Sequence, residues 1–314
     1  MKVVALVVAY NRQSQLATAL DALAAQSQPP AAVLVVDNAS TDQSAQVAKD
    51  HPVGAEVVVL PRNTGGAGGF AAGLAHATKA LAADAVWLMD DDTVPTPTAL
   101  EELLKTWQAY PGQLTLAGSR VVWTDGRDHP MNTPRSRLLA GPKRWHRASA
   151  VGARPIRTGS FVGLLVAAGA VQRLGLPRAE YFIWNDDFEY SARLLRHGEG
   201  VLVPDSVVEH HTARPAGALD NPGDRFFYEV RNKVWTFAWA GVFGPVDTIA
   251  YVAYTGYGWV KALVRATDKA AMVRLLGKGL WAGLRRPPRP TRFVLSGLGP
   301  ISQTVQAVET RARR

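Results

Sequence analysis

Three consecutive carboxylates, Asp90, Asp91 and Asp92, follow an apolar run at residues 86–89. Like charges repel one another, and a hard divalent cation relieves that repulsion because it takes carboxylate oxygens and bridges them to phosphates. Alternate side chains of an extended segment point the same way, so we expect Asp90 and Asp92 to hold Mn²⁺ or Mg²⁺ and Asp91 to point oppositely. The alternative is a solvated acidic turn.

Two adjacent acids, Asp186 and Asp187, come behind an aromatic, apolar stretch at residues 181–184 and just before a predicted helix. A carboxylate in this setting can act as a general base that deprotonates an attacking hydroxyl, and apolar surroundings raise its pKa. Capping of the helix by Asn185 or Asp186 is the alternative. We assign the base to Asp187 and a substrate contact to Asp186.

A pair of imidazoles, His210 and His211, follows the strand predicted around Val201. One of them could complete an oxygen and nitrogen shell with the aspartate triplet. A single histidine is more often structural, but the triplet favours the ligand role here. The pattern leaves both rings open, and we assign His210 to the metal and His211 to the substrate side.

Polar side chains also follow the first two predicted strands. Asp37 is placed to accept a hydrogen bond from a ribose or from the N3 position of a uracil, and capping of the next helix is a compatible alternative. Arg12, just past the first strand, could pair with a phosphate.

A glycine-rich loop at residues 62–70 contains Asn63, Gly65, Gly66 and Gly69. Glycines let a backbone approach a ligand closely, and the helix that the loop opens favours anions at its N-terminus. Its loose dinucleotide fingerprint follows the third strand, whereas that fingerprint belongs after the first. The sequence therefore argues against an NAD enzyme.

Elements that alternate in type must position these residues. Strands regularly separated by helices indicate βαβ units and a mostly parallel sheet with helices on both faces, which is an α/β fold whose ligands bind at the carboxyl ends of the strands. The predicted strands are 3–8, 33–36, 57–60 and 86–89, and the predicted helices include 16–25, 44–49, 73–83 and 101–110. Residues 124–158 form a long excursion, and the chain is mostly helical from about residue 226.

Composition excludes several classes of protein. The 314 residues are 47% hydrophobic and contain no cysteine, which excludes global disorder, a disulfide framework, a cysteine-ligated metal and a thiol nucleophile. Any metal must therefore be held by carboxylate or histidine. The net charge of +9 is uneven, because residues 261–314 hold twelve Lys and Arg against two acids, or +10, which leaves −1 for residues 1–260.

The basic tail follows an apolar stretch at residues 234–260 that Pro245, Asp247 and four glycines interrupt. This pattern indicates a protein that lies on an anionic membrane surface and does not span it. The alternative is a core helix pair followed by a solvated tail. Nucleic-acid binding would rest on net charge alone, and we exclude it.

Taken together, these motifs resemble the family 2 inverting glycosyltransferases of the GT-A fold, which is Rossmann-like. More narrowly, NTGGAGGF at 63–70, the aspartate triplet and WNDDFEY at 184–190 are similar to bacterial galactofuranosyltransferases, whose close relatives include rhamnosyltransferases. RFFYEVRN at 225–232 is similar to a segment of that group. The resemblance covers about residues 1–235 and is greatest to the enzymes that initiate the actinobacterial cell-wall galactan.

The resemblance implies transfer of galactofuranose from a UDP-sugar donor to a polyprenyl-diphosphate-linked rhamnosyl-N-acetylglucosamine acceptor at the cytoplasmic face of the plasma membrane. A dTDP-rhamnose-dependent rhamnosyltransferase and a sugar-nucleotide-binding membrane scaffold without turnover are the alternatives. The resemblance also implies a glycosyltransferase domain over 1–225, with a nucleotide-sugar half over about 1–120 and an acceptor half over about 121–225. A membrane-associating helical region over 226–314 would follow it. A monomer and a homo-oligomer are both compatible. The expected nucleotide contacts are Arg12, Asp37, Asn63, Gly65, Gly66, Gly69 and Asp91; the metal ligands are Asp90, Asp92 and His210; the base is Asp187; and the substrate contacts are Trp184, Asp186 and His211.

Overall fold

The structure is a computed structural model that describes residues 1–137, 140–215, 219–220 and 222–312. Strands and helices alternate over the first ninety residues, as predicted. The strands are β1 (Val3–Ala9), β2 (Ala32–Asp37), β3 (Glu56–Val59) and β4 (Ala85–Asp90), and the helices are α1 (Gln13–Ala24), α2 (Ser44–Asp50) and α3 (Gly65–Lys79). The four strands run parallel in the order β3-β2-β1-β4. Helix α3 starts at Gly65, so the glycine loop forms the first turns of a helix predicted to start later.

The sheet continues into a mixed half. Its strands are β5 (Thr93–Pro95), β6 (Leu114–Val122), β7 (Arg135–Ser136), β8 (Arg154–Thr158), β9 (Leu164–Ala167) and β10 (Glu199–His210), and its helices are α4 (Ala99–Ala109), α5 (Pro142–Ser149), α6 (Ala168–Leu174) and α7 (Asp186–Leu194). The order continues β4-β9-β6-β10-β8-β7, and β5 pairs with β10. Strand β9 is antiparallel to both β4 and β6, whereas β10 is parallel to β6. The predicted α/β class is confirmed, with antiparallel strands entering the sheet beyond β4.

Two apolar cores cover the two faces of the sheet. Alternate residues of β1 enter them in turn, with Leu6 in the core beneath α3 and Val7 in the core beneath α1 and α4. Each fully buried Val or Leu side chain contributes about 1.5–3 kcal/mol relative to exposure. This burial explains why the strand reads as a continuous apolar run, since neither face meets water.

Among the described residues beyond β10, the α-helices are α8 (Phe226–Ala238), α9 (Pro245–Arg265), α10 (Lys269–Arg285), α11 (Thr291–Val294) and α12 (Pro300–Arg311). Helices α8 and α10 pack closely, because a Cβ added at Gly279 or Gly283 would lie 2.7 Å from the Cβ of Val230 or Val234. Glycine at these two positions therefore sets the distance between the helices.

The last helix returns to the sheet. Leu298, Ile301, Val305 and Val308 belong to the same buried core as Leu6 of β1. The segment from about residue 291 thus packs on α3, although the sequence analysis groups it with the helical region predicted over 226–314. Residues 313–314 of that region lie outside the described residues.

Helix α9 presents a largely apolar outer face. In the part of the chain that the structure describes, we find no helix that is both long enough and apolar enough to cross a membrane. Large side chains are nevertheless exposed along α9 and α10, namely Val246, Ile249, Val252, Tyr254, Tyr257, Val260 and Val264 on α9, and Val273, Trp281 and Leu284 on α10.

Candidate active site

A cavity of about 930 Å³ opens where β1 and β4 end. We call the part formed by the ends of β1, β2, β4 and β10, the glycine loop and the excursion around residue 132 its strand-end side. The part formed by α7, α8, α9 and the residues just before α7 and α8 is its helical side. Most of the predicted site residues line this one cavity, namely Arg12, Asn63, Gly65, Gly66, Asp90, Asp91, Asp92, Trp184, Asp186, Asp187 and His210.

Two carboxylates and an imidazole cluster on the strand-end side. One ligand atom from each of Asp90, Asp92 and His210 lies within 4.8 Å of the others. The Oδ1 atom of Asp92 is buried and lacks a hydrogen-bond partner among the described residues, although it lies only 3.0 Å from Nε2 of His210. Such an orphaned acceptor beside an imidazole nitrogen fits a shared cation of the Mg²⁺ or Mn²⁺ type.

The charges of this cluster are unequal. Burial, and then the charges of Asp92 and Asp91, hold the pKa of Asp90 well above its ordinary value. Burial also acts to raise the pKa of Asp92, but the adjacent His210 and Arg12 outweigh it and lower that pKa. Asp92 therefore ionises more readily than Asp90.

Two residues of the excursion over 124–158 contact His210. Nδ1 of His210 lies 2.8 Å from Oδ1 of Asn132, a contact that orients the ring so that Nε2 faces Asp92. A neutral ring with its proton on Nδ1 would offer Nε2 to a metal. The ring of His129 packs 4.9 Å from that of His210. Burial and the charge of His210 lower the pKa of His129 to about 4, which keeps this ring neutral.

Asp91 is held by the backbone that follows β1. Its Oδ2 accepts a hydrogen bond from the Tyr10 N–H at 2.9 Å, and burial raises its pKa to about 7. Arg12 donates to Asp92 and lies 3.5 Å from Asp91. The nucleotide contacts assigned to Arg12 and Asp91 stay predictions, with both groups at the cavity wall.

The predicted base lies in the first turn of α7. Burial raises the pKa of Asp187 to about 6, against the Phe188 N–H bond and the charge of Lys233, which act to lower it. Asp186 is also buried, and its pKa is raised well above the ordinary value by that burial and by the charge of Asp187. The two acids therefore differ, and Asp187 is the one that ionises near neutral pH.

Capping by Asn185 is wrong, because no side chain caps α7. The side-chain amide of Asn185 instead donates to Oε2 of Glu229 at 2.6 Å. Three residues just before the acids have positive φ angles, Phe182 at 65°, Trp184 at 64° and Asn185 at 65°. Such conformations cost about 1–3 kcal/mol each and persist only where the surroundings hold them.

A buried amide on α8 holds this strained segment. The side-chain nitrogen of Asn232 lies 3.0, 3.0 and 2.7 Å from the carbonyl oxygens of Tyr181, Ile183 and Trp184. The neighbouring Arg231 donates to the Tyr181 carbonyl at 3.1 Å. Asn232 is fully buried, so these bonds connect α8 to the segment that presents the acids.

The glycine loop packs against the same segment. Gly65 has a φ of 72°, and a Cβ there would collide with the carbonyl oxygen of Phe182. Asn38, at the end of β2, donates to the Gly65 carbonyl at 2.9 Å and accepts from the Thr64 N–H at 2.8 Å. Oδ1 of Asn63 accepts from the Gly65 N–H at 2.8 Å.

Three predicted site residues do not line the cavity. A Cβ at Gly69 would lie 2.5 Å from Val8, so this glycine serves close packing of α3 on β1. His211 points away from His210, because adjacent strand residues face opposite sides, and it binds Glu209 at 2.9 Å. Asp37 is buried, accepts a hydrogen bond from the Ser40 N–H at 3.1 Å and does not cap α2. Its Oδ1 is buried with no hydrogen-bond partner among the described residues.

Four further residues line the cavity, and no sequence motif had singled them out as site residues. Asn38 and Asn132 lie on the strand-end side, and Glu229 and Lys233 lie on the helical side. The spacing of Arg225, Glu229 and Lys233 at every fourth residue was a usable sign, since such residues share one face of a helix.

Comparison with known proteins shows similarity to glycosyltransferases in every case. The model of glycosyl transferase family 2 matches residues 4–165. Galactofuranosyltransferase GlfT1 of Mycolicibacterium smegmatis is 34% identical over 312 residues, which cover 93% of this chain and 97% of the relative. Galactofuranosyltransferase GlfT1 of Mycobacterium tuberculosis H37Rv is 28% identical, with 93% and 96% covered.

Solved structures share the fold. S. aureus TarS 1-349 in complex with UDP-GlcNAc has a TM-score of 0.63 at 15% identity and covers 100% of this chain and 90% of that chain. The mannosyltransferase PcManGT from Pyrobaculum calidifontis, in complex with GDP-Man and Mn²⁺, has a TM-score of 0.54 at 18% identity, with 99% and 87% covered.

Proposed function

Because the chain belongs to glycosyl transferase family 2, we propose that it transfers galactofuranose from UDP-galactofuranose to a polyprenyl-diphosphate-linked rhamnosyl-N-acetylglucosamine. The similarity to two galactofuranosyltransferases over nearly their whole length supports this choice of sugar. The observation that carries the proposal is that Asp187 and the cluster of Asp90, Asp92 and His210 open into one cavity.

An inverting transfer needs one base and no covalent nucleophile. The Asp187 carboxylate takes the proton of the acceptor hydroxyl as that oxygen attacks the anomeric carbon, and UDP departs from the opposite face. With its pKa at about 6, Asp187 is mostly ionised at neutral pH and still close to the working pH, as an effective base requires. Lys233 favours the ionised form of Asp187, since its charge lowers that pKa.

The strand-end side receives the donor in this proposal. Asp90, Asp92 and His210 would hold Mn²⁺ or Mg²⁺, which neutralises charge on the departing diphosphate. Arg12, Asn63 and the backbone N–H groups of the glycine loop lie on the wall where we place the nucleotide. The uridine contact of Asp37 is retained as a prediction.

The donor preference tests the proposal. Purified protein is incubated with a synthetic rhamnosyl-N-acetylglucosaminyl acceptor and either UDP-galactofuranose or dTDP-rhamnose, with and without Mn²⁺. We expect transfer from UDP-galactofuranose, dependent on the metal. Transfer from dTDP-rhamnose alone would show a rhamnosyltransferase. Metal-dependent UDP binding without transfer from either donor would show a scaffold.

We also propose that the protein lies on the cytoplasmic face of the plasma membrane through the outer faces of α9 and α10. Ile249, Val260 and Trp281 are 72%, 59% and 63% exposed. Basic residues of α10, including Arg274 and Lys278, are exposed beside them. Apolar side chains flanked by cations suit the headgroup region of an anionic bilayer.

Co-sedimentation with vesicles of phosphatidylglycerol and phosphatidylcholine tests this surface. Ile249→Asp with Val260→Asp is expected to release the protein, whereas Val59→Asp, at an exposed site on β3, is the matched control and should not. Binding that survives the double substitution contradicts the proposal. A dimer that the same substitutions dissociate would show that a second copy covers the face. Point variants are needed, because a deletion from about residue 265 would also remove the core contacts of α12.

A further inference from the structure

Three cations meet at one end of the helical side. Arg225 immediately precedes α8, Lys261 and Arg265 lie near the end of α9, and all three line the cavity. The two helices are antiparallel there, because Ala262 of α9 shares a buried cluster with Phe226 at the start of α8. Residues far apart in the chain thus bring three positive charges to one wall.

Their charge is only partly balanced. Within the described ranges, the single carboxylate at ion-pair distance from any of the three is Asp220, 3.8 Å from Arg265. Cations near the end of α9 are also favoured by its helix dipole. The helix dipole does not favour Arg225, because this residue precedes the N-terminal end of α8. Arg225 instead lies 5.9 Å from the Trp184 ring. Convergence from both helices indicates an anionic ligand.

The three cations lie far along α9 from the level of the base. One stripe of α9, from Tyr251 through Thr255 and Gly258 to Lys261, lines the cavity. Tyr251 packs 5.4 Å from the ring of Phe188, the residue after Asp187. Ten residues of helix span about 15 Å, so Lys261 lies about that far along the axis from the level of the base. Two linked sugar rings extend over most of such a distance.

The outer face of α9 continues from the same end. Val260 and Val264 are 59% and 68% exposed and flank Lys261 in sequence. A ligand whose anionic group meets Lys261 can therefore continue onto an apolar surface. An amphipathic molecule with sugars, a diphosphate and a hydrocarbon chain in that order matches the succession of base, cations and apolar face.

We propose that Arg225, Lys261 and Arg265 bind the diphosphate of a lipid-linked acceptor, and that α9 spaces this diphosphate from Asp187. The inference rests on the proposed function for the identity of the acceptor. The cations act on acceptor binding and leave the donor site unchanged.

The test compares two soluble acceptors that carry the same disaccharide, one on a short alkyl diphosphate and one on a neutral octyl glycoside. Lys261→Ala with Arg265→Ala is expected to raise KM for the diphosphate acceptor about tenfold or more, which corresponds to the loss of charge-assisted bonds. KM for the neutral glycoside, KM for the donor and kcat should stay within about twofold. The matched control is Lys49→Ala with Lys79→Ala on α2 and α3, whose exposed cations line neither the cavity nor the proposed membrane surface.

A binding measurement separates this inference from the proposed function. Tryptophan fluorescence follows the titration of farnesyl diphosphate into protein saturated with UDP and Mg²⁺, and the double variant should bind about tenfold more weakly. If the intact protein transfers no galactofuranose but shows this difference, the proposed function fails and the anion site stands. Equal KM changes for both acceptors would overturn the anion site, as would an equal effect of the control substitutions. If the double variant lost vesicle binding but kept its KM for the diphosphate acceptor, the cations would be assigned to membrane headgroups. That result would also overturn the anion site.

Discussion

The strand-end side and the helical side of the cavity are built in different ways. On the strand-end side, Asp90 and His210 end strands of the sheet, and Asp91 bonds to backbone just beyond β1. On the helical side, the segment before Asp187 is strained and held by Asn232, a residue some fifty positions later in the chain. The first side is acidic and suits a cation, whereas the second carries cations. Secondary structure positions the proposed donor site, and packing between distant segments positions the proposed acceptor site.

The largest effect is expected at the base. Asp187→Asn should lower kcat by about a thousandfold or more, since general base catalysis typically contributes about 10²–10⁴-fold. Metal-dependent UDP binding, measured by calorimetry, should be unchanged, because that binding belongs to the strand-end side. Asp186→Asn is the neighbouring control and should cost less in kcat. Full activity in the Asp187 variant would remove the base assignment, and lost UDP binding would show that the two sides are not separable.

The second prediction concerns the strand-end side alone. Asn132→Ala should weaken Mn²⁺ activation by about 10–100-fold, because the bond that orients His210 is lost. Asn132→Asp keeps an acceptor oxygen and should retain most of the affinity. The measurement is the Mn²⁺ concentration for half-maximal transfer. An unchanged value in the alanine variant would mean that His210 needs no such support.

The third prediction concerns the clamp on the helical side. Asn232→Ala should lower kcat about tenfold or more and leave UDP binding intact, because the buried carbonyls it satisfies would be released and the acids displaced. Thr236→Val is the control, since it removes a buried hydroxyl of the same helix that bonds Tyr181 at 3.1 Å. Both variants should lose stability in thermal unfolding, but only the first should lose kcat. Equal losses of kcat in the two variants would show that Asn232 has only a general packing role.

The smallest effect is expected in the pH profile. Transfer requires ionised Asp187, so kcat/KM should fall about tenfold per pH unit below a pKa of about 6. Lys233 lowers that pKa, and Lys233→Met should therefore move the acidic limb to higher pH, whereas Lys233→Arg should not. A limb that stays in place in the methionine variant would show that another group controls it.

Sequence patterns predicted the three candidate metal ligands of the strand-end side but not the residues that support them. A triplet of acids after an apolar run implied Asp90 and Asp92 at a strand end, and the structure brings both next to His210. Asn132 could not be found in this way, because it lies in an irregular excursion 78 residues from the histidine it orients. Gly69 and His211 were predicted as site residues but do not line the cavity, because composition and adjacency in the sequence do not show which face of an element a residue occupies.

The helical side could be predicted less completely from the sequence, for a physical reason. RFFYEVRN was visible as a motif, but its clamp depends on where α8 docks, which no local pattern encodes. In contrast, the position of α12 had a usable sign, since Leu298, Ile301, Val305 and Val308 recur every three or four residues. The strong positive charge of the tail obscured that apolar stripe.

The docking of α12 on α3 also has a consequence for biosynthesis. The core around β1 is completed only when Val305 and Val308 have been translated. At typical elongation rates of about 5–20 residues per second, roughly 10–50 s pass between synthesis of the end of α3 and that of Val308. During this interval the surface of α3 that α12 later covers is bare on the nascent chain, where chaperones can bind it. A premature stop codon before residue 300 would leave that surface permanently uncovered and expose the product to aggregation and proteolysis.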